Sequence, residues 1–192
     1  MSKCKEQIIK DFSKRWELND EAHRLKHFSN VEECGLIINQ RLNLKFDQQL
    51  ITYVAFFHDM FAYDRFNHHE MSARWIETTD YPLIACLSKH DKAMVASACL
   101  QHRASFEGRF DGKFSELMNS ADRELPGDVA GMVERAVLYR MNKGFTREEA
   151  MKPAVDHIKE KFGSDGYARY PNLYLKVFDE ELWKQRMDIA NL

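Results

Sequence analysis

Histidine and aspartate residues stand at the ends of apolar rows with helical spacing in four segments: His27, His58-Asp59, His102 and Asp122. In the first segment, apolar residues at steps of three and four from Val31 onwards lead back to His27. These side chains should therefore face the core. Because a buried charge is costly unless it is paired or bound to a cation, a shared metal ion would explain all four.

Each of these residues also has an ordinary interpretation. A single inward histidine is more often a hydrogen-bonded core residue than a ligand, and an Asp near a helix end is commonly a cap. The set is more informative, because helical metalloenzymes project ligands from facing helices into one pocket. Imidazole and carboxylate ligands without a cysteine motif suit Mn²⁺, Fe²⁺, Co²⁺, Ni²⁺, Zn²⁺ or Mg²⁺. Such an ion activates water and polarises a phosphoryl oxygen, which favours phosphate ester hydrolysis.

The elements that must position these residues are helices. Apolar residues recur at helical spacing nearly throughout, and the β-branched runs typical of strands are absent. The sequence therefore predicts an all-α fold, a single-domain helical bundle over 1–192. The expected helices lie near 3–17, 20–42, 47–61, 68–78, 81–88, 91–104, 113–124, 127–142, 146–162 and 172–190. No composition shift accompanies the loop before 172, so we expect the last helix to pack on the body.

Composition and charge exclude several classes of protein. The net charge of −2 provides no field that would draw the chain to nucleic acid or an anionic membrane. The four cysteines are scattered without C-x-x-C spacing, which favours a reducing compartment. The start of the chain lacks the apolar stretch of a signal peptide, and no apolar run is long enough to span a bilayer. A cytoplasmic protein is expected.

The motifs resemble those of the HD superfamily of metal-dependent phosphohydrolases. His27 begins HFSNVEEC, FFHDM contains His58-Asp59, QH contains His102, and NSADREL contains Asp122. The stretch FFHDMFAYDRFNHHEMSARWI is also similar to the F-H-D…N-E-x-S-A pattern of a little-characterised branch of predicted HD phosphohydrolases, and ELWKQRMDIANL is similar to its C-terminal end. The resemblance covers the chain from about residue 20 onwards.

The resemblance implies an all-α fold of the HD-domain type and substrates that are usually nucleotides or other small phosphorylated molecules. It implies that the metal ligands are His27, His58, Asp59 and Asp122, with Asp59 near the attacking water. The chain departs from the branch pattern in two places. Val31 replaces a second histidine, and His68-His69 replaces N-E. The second departure suggests a further ligand or proton donor, so a second metal held by His69 and His102 is an additional hypothesis.

Other residues near the proposed ligands are candidates for catalysis and substrate binding. We expect His69 to act as general acid or base near neutral pH and Glu70 to orient a metal-bound water, although both could simply begin a solvated helix. His102 completes the catalytic set with Asp59. Guanidinium and ammonium groups bind phosphate oxygens, and the candidates adjacent to the ligands are Arg24, Arg103, Lys113 and Arg123.

The residues leave alternatives open. The main hypothesis is a metal-dependent nucleotidase, nucleotide pyrophosphatase or phosphodiesterase that acts on a small phosphorylated substrate. The alternative is a non-catalytic helical sensor or interaction module with a structural metal. A nucleic-acid hydrolase is disfavoured by the near-neutral charge. A homo-oligomer is also compatible with the sequence, because Phe178, Leu182 and Trp183 could face a partner subunit or the domain's own core.

Overall fold

The computed structural model describes residues 2–20 and 23–192, and over these residues it is helical, without strands. Its ten helices are α1 (Lys3–Trp16), α2 (Leu25–Arg41), α3 (Gln48–Phe57), α4 (His68–Thr78), α5 (Pro82–Ala85), α6 (Lys89–Leu100), α7 (Lys113–Ala121), α8 (Val129–Met141), α9 (Arg147–Phe162) and α10 (Asn172–Ala190). The prediction of an all-α fold is confirmed, and each expected helix is present.

The differences from the expected helices lie at their ends. Helix α2 begins at Leu25 rather than at 20, and residues 21 and 22 of the predicted range lie outside the described part of the chain. Helices α3, α6 and α7 end three or four residues earlier than expected, at Phe57, Leu100 and Ala121. As a result, the histidines and aspartates predicted inside these helices follow their last turns.

The chain divides into two compact units. Unit 1 comprises Met1–Glu124 and Pro171–Val177, and unit 2 comprises Leu125–Tyr170 and Phe178–Leu192. The prediction of one domain over 1–192 stays a prediction. All the residues expected to bind metal or substrate belong to unit 1.

Helix α3 forms the centre of unit 1. Asp47 caps its start by accepting a hydrogen bond from the Gln49 amide, and every residue from Leu50 to Met60 is buried. A helix that is apolar on all sides is stable only when neighbours cover every side. Helices α1, α2, α6 and α7 do so, and α6 also packs against α4. The sequence LITYVAFF therefore places the end of α3 in the interior.

An aromatic cluster fills the space between α1, α2 and α3. Trp16 is 2% exposed, and its ring centroid lies 5.0 Å from that of Phe28 and 5.8 Å from that of Phe56. Such packed aromatic pairs stabilise a core beyond the area that they bury. Trp16 is thus a core residue.

Unit 2 is built around helices α8 and α9. Val137 of α8 packs with Ala150 and Ala154 of α9, and Val129 packs with Ile158 and Ile189. Thr146 begins α9 with a capping box, since its side chain and that of Glu149 each bind the other's backbone amide.

Helix α10 is not continuous, because Phe178 has non-helical backbone angles (φ −126°, ψ 21°). The segment before this kink belongs to unit 1 and the segment after it to unit 2. Among the residues proposed to face a partner or the core, Phe178 and Leu182 are buried, whereas Trp183 is 65% exposed. No helix in the described part of the chain has both the length and the apolar composition to cross a membrane.

Gly35 lies where α2 packs closely against α3 and α7. A Cβ atom placed there would lie 3.0 Å from Ile51 Cγ2 and 3.4 Å from Ala121 Cβ. Since Ala121 directly precedes Asp122, the spacing of α2 and α7 at this point also bears on the position of that aspartate.

We expect Gly35→Val to lower the free energy of unfolding by about 1–3 kcal/mol, because the added methyl groups overpack a tight contact. Urea denaturation of the metal-free protein measures the change. Glu33→Val, at an exposed position of the same helix, controls for the helix propensity of valine. Equal stability of the two variants would contradict close packing at Gly35.

Candidate metal centre

Three helices end at the candidate site. His58 caps the C-terminus of α3 and Asp59 follows it, Asp122 caps the C-terminus of α7, and His102 lies two residues after α6. Helix C-termini carry a partial negative charge from unpaired carbonyl groups, which favours cations. The remaining histidines come from first turns: His27 is the third residue of α2 and His68 the first of α4.

Four side chains form the first group of candidate ligands. His27 Nε2 and His58 Nε2 lie 3.2 Å apart. Asp59 Oδ2 is 3.6 Å from His27 Nε2 and 3.4 Å from His58 Nε2, and Asp122 Oδ1 is 3.3 Å and 3.4 Å from the same two atoms. The structure thus brings together the four residues that the resemblance implied.

A second group uses the other oxygen of the same carboxylate. Asp59 Oδ1 is 3.3 Å from His68 Nε2 and 3.2 Å from His102 Nε2, and these two nitrogens are 3.2 Å apart. Candidate metal-holding groups are therefore His27, His58 and Asp59 on one side, and Asp59, His68 and His102 on the other. The Asp59 carboxylate is common to both.

These separations suit a coordination shell. Imidazole and carboxylate ligands bind Zn²⁺ at about 2.0–2.2 Å, so neighbouring ligand atoms in a tetrahedral or octahedral site are about 3.0–3.5 Å apart. Hydrogen bonds between nitrogen and oxygen are usually shorter, at about 2.9 Å. Both groups have the spacing of ligand atoms around an ion.

Hydrogen bonds at Nδ1 fix how the histidines point. His58 Nδ1 donates to the Ala55 carbonyl at 3.0 Å, and His102 Nδ1 donates to the Cys99 carbonyl at 2.6 Å. A carbonyl oxygen can only accept, so each Nδ1 carries the proton and a neutral ring directs its Nε2 lone pair at the cluster. The last turns of α3 and α6 thereby orient the two rings.

Two buried asparagines hold the backbone beside the ligands. Asn19 Nδ2 donates to the Asp59 carbonyl at 2.9 Å, and Asn19 Oδ1 accepts from the Tyr63 amide at 3.1 Å. Asn119 Nδ2 donates to the carbonyls of Gln101 and Arg103, on either side of His102, at 2.6 and 3.0 Å. These contacts fix the turns after α3 and α6.

The charges of the cluster shift the pKa values of its members. Burial lowers the pKa of His58, but the negative charge of Asp59 and the contact with Asp122 outweigh it and raise the pKa to about 9. The pKa of His27 is likewise raised, against burial, by Asp122, Asp59 and Glu124. Burial raises the pKa of both aspartates, yet the histidines around them hold it well below its usual range.

The second group behaves differently. Burial lowers the pKa of His68 to about 4, although Asp59 acts in the opposite direction. Within the described part of the chain, Asp59 Oδ1 and His68 Nδ1 are buried and have no hydrogen-bond partner. A buried carboxylate oxygen among lone pairs is costly unless positive charge compensates it. The residues of the cluster therefore fit a divalent cation.

The predicted catalytic residues lie at different depths. His102 is buried in the second group, as its apolar row indicated. His68, not His69, is its partner there, which replaces the His69–His102 pair expected from the sequence. His69 is partly buried beside the cluster, and Glu70 is exposed. In the first turn of α4, the side chain of His68 therefore faces the cluster, whereas those of His69 and Glu70 are more exposed.

The predicted phosphate-binding residues are distributed unevenly. Arg123 donates to Asp122 Oδ2 at 3.3 Å and Asn119 Oδ1 at 3.0 Å, so it braces a ligand. Arg103 donates to the Phe66 carbonyl beside the second group. Arg24 donates to the carbonyls of Asn19 and Glu17, in the loop before α2. Lys113 is exposed at the opposite end of α7, about 13 Å along the helix from Asp122.

Glu124 and His23 were not selected from the sequence as site residues. Glu124 Oε1 accepts from His27 Nδ1 at 2.7 Å, across 97 positions of sequence. His23 Nε2 lies 3.9 Å from Asp59 Oδ2, with a side chain 22% exposed, at the rim of the cluster. His23 lies four residues before His27, a spacing that would place both on one helix face, but no periodic pattern in the sequence indicates that Glu124 belongs to the site.

Comparison with known proteins gives no family. No protein-family model matches the chain, and no curated protein or solved structure matches it either. The resemblance to the HD superfamily therefore rests on the motifs themselves.

We expect binding of a divalent cation to release protons. Below a pH of about 9, His58 of the metal-free protein is protonated, so a cation must displace that proton, and apparent affinity should rise with pH toward this value. Calorimetric titration with Zn²⁺ in two buffers of different ionisation enthalpy measures the release. An observed enthalpy that is the same in both buffers would show that no proton leaves.

Proposed function

We propose that the protein is a cytoplasmic, metal-dependent phosphohydrolase of the HD-domain type. Its substrate would be a phosphate ester or anhydride of a nucleotide or a similar small molecule. The observation that carries the proposal is the buried Asp59 carboxylate, whose two oxygens each face a pair of histidine Nε2 atoms. The ordered motif that resembles the HD superfamily supplies Asp59 with His27, His58 and Asp122, whereas His68 is a departure from that pattern.

The first group would hold the cation through His27, His58, Asp59 and Asp122. A bound divalent ion lowers the pKa of water and polarises a phosphoryl oxygen. The side chains of His58 and Asp59 are only 1% and 4% exposed, so bulk water does not reach them. Electrostatic interactions are stronger where bulk water is excluded. Asp59 would orient the attacking water, as the resemblance implies.

The second group would hold a further cation through His68, His102 and Asp59 Oδ1. This assignment replaces the His69–His102 pair in the sequence-based hypothesis. It is supported by the buried Asp59 Oδ1, which has no hydrogen-bond partner among the described residues and faces the Nε2 atoms of His68 and His102. A carboxylate that serves two groups can join two ions in one centre.

The substrate would approach from the more exposed rim. The side chains of His23 and Asp122 are 22% and 15% exposed, in contrast to the nearly inaccessible His58. Arg103 directly follows His102 in the chain, and its guanidinium donates to the carbonyl of Phe66, two residues before His68. We assign Arg103 to the phosphate and His69 to proton transfer beside the second group.

A structural metal is the competing function. The candidate ligands follow the ends of α3, α6 and α7, so a cation would also join these helices and stabilise unit 1. The two functions differ in turnover, because a structural ion raises the melting temperature without supporting hydrolysis.

Turnover should depend on the ligands. We expect the protein to hydrolyse members of a nucleotide panel with Mn²⁺, Co²⁺, Ni²⁺ or Mg²⁺. Because the metal ion stabilises the transition state by several kcal/mol, Asp59→Asn and His58→Ala should lower kcat/KM on the order of 100-fold or more. Phosphate release measures the rate. His90→Ala is the matched control, since His90 is highly exposed. Inactivity across the panel, with a melting temperature that falls on chelation, would favour the structural metal.

Metal content should report the two groups separately. We expect two ions per chain after reconstitution with Mn²⁺ or Zn²⁺, measured by elemental analysis. His68→Ala should retain one, because it removes a ligand of the second group alone. His69→Ala should retain two, since His69 lies outside both groups. Loss of an ion in His69→Ala but not in His68→Ala would restore the pair expected from the sequence.

A further inference from the structure

Glu124 contacts helix α2 through both carboxylate oxygens. Oε1 accepts from His27 Nδ1 at 2.7 Å, and Oε2 accepts from Asn30 Nδ2 at 2.9 Å. His27 and Asn30 are three residues apart and lie on the same face of the helix. The carboxylate therefore has a fixed direction relative to the imidazole, and its side chain is only 23% exposed.

This contact decides which nitrogen of His27 faces the cluster. A carboxylate only accepts hydrogen bonds, so Nδ1 carries a proton, and when the ring is neutral its Nε2 lone pair is directed toward the space that a cation of the first group would occupy. His58 and His102 are oriented in the same way by backbone carbonyls. Among these three histidines, His27 is the one whose Nδ1 partner is a charged side chain, which makes its ring a stronger donor to a cation.

The backbone of Glu124 adds a second, independent observation. Its φ of +58° lies in the left-handed region, which Gly and Asn adopt more readily than Glu. The Tyr174 hydroxyl donates to the Glu124 carbonyl at 3.0 Å, and Tyr174 is 1% exposed. Residues held in an unfavourable backbone conformation by surrounding contacts occur commonly at functional sites.

We infer that Glu124 is a positioning residue, which fixes the tautomer and direction of His27 and thereby sets the affinity of the first group for its cation. Tyr174 supports it by holding the left-handed backbone in place. This inference rests on the proposed metal centre and adds to it a residue that is not itself a member of either candidate metal group.

The decisive comparison is between Glu124→Gln and Glu124→Asn. Gln retains an acceptor at the same reach and should bind Co²⁺ within a few-fold of wild type. Asn has the same amide and suits the positive φ, but it is one methylene shorter and cannot reach Nδ1. Loss of such a supporting hydrogen bond weakens metal binding about 10- to 100-fold, so we expect a loss of this size. Competition with a chromophoric chelator measures the affinity.

Melting of the metal-free variants separates positioning from folding. Glu124→Asn and Glu124→Gly should melt within a few degrees of wild type, because relief of the left-handed strain offsets the loss of the hydrogen bonds to His27 and Asn30. Lys45→Gly, at another positive φ outside the site, is the matched backbone control and should leave Co²⁺ affinity unchanged. A spectroscopic readout completes the test: the exchangeable, hyperfine-shifted Nδ1 proton of His27 in the Co²⁺ protein should persist in Glu124→Gln and disappear in Glu124→Asn.

The outcomes distinguish this inference from the proposed function. If wild type binds Co²⁺ in a His58-dependent way but Glu124→Asn binds it equally well, the positioning role is overturned and the metal centre stands. If Glu124→Gln and Glu124→Asn lose affinity equally, the hydrogen bond to His27 is not what Glu124 contributes, and the inference is again overturned. If wild type binds no divalent ion, both proposals fail together.

Discussion

The buried carboxylate of Asp59 is the constraint on which the rest of the site depends. Helix α3 is apolar on every side, so it must run through the interior, and the residue after its cap is carried into the interior with it. A carboxylate in that position requires positive charge. Histidines from α2, α4 and the segments after α3 and α6 gather around it, and they supply that charge as bound protons or as ligands of a cation.

The hydrogen bonds that orient these histidines come from backbone carbonyls and from side chains distant in sequence. Backbone carbonyls near the ends of α3 and α6 orient His58 and His102, and buried asparagines fix the adjoining turns. His27 relies on a side chain from the segment after α7. The orientation of His58 and His102 therefore depends on the ends of their own helices, whereas that of His27 depends on a tertiary contact.

Much of this arrangement could be predicted from the sequence, because it follows from periodicity. The ten helices and the inward direction of His27, His58 and His102 are properties of apolar spacing. Apolar spacing does not show that His68, rather than His69, belongs to the second group. At a helix start the direction of a side chain depends on where the first turn begins, and the sequence indicates that position only to within a few residues. Glu124 lay beyond reach for another reason: its partner is 97 residues away, and its backbone conformation is unfavourable for its residue type.

The discontinuity of unit 1 has a consequence for how the centre is assembled during synthesis. A chain is made from its N-terminus, and units generally fold as they emerge. Every proposed metal ligand precedes Leu125, yet Tyr174, which holds the backbone of Glu124, is translated only after the whole of Leu125–Tyr170. In the proposed metal centre, every ligand would therefore be synthesised before Tyr174, and tight retention of the ion would be gained late.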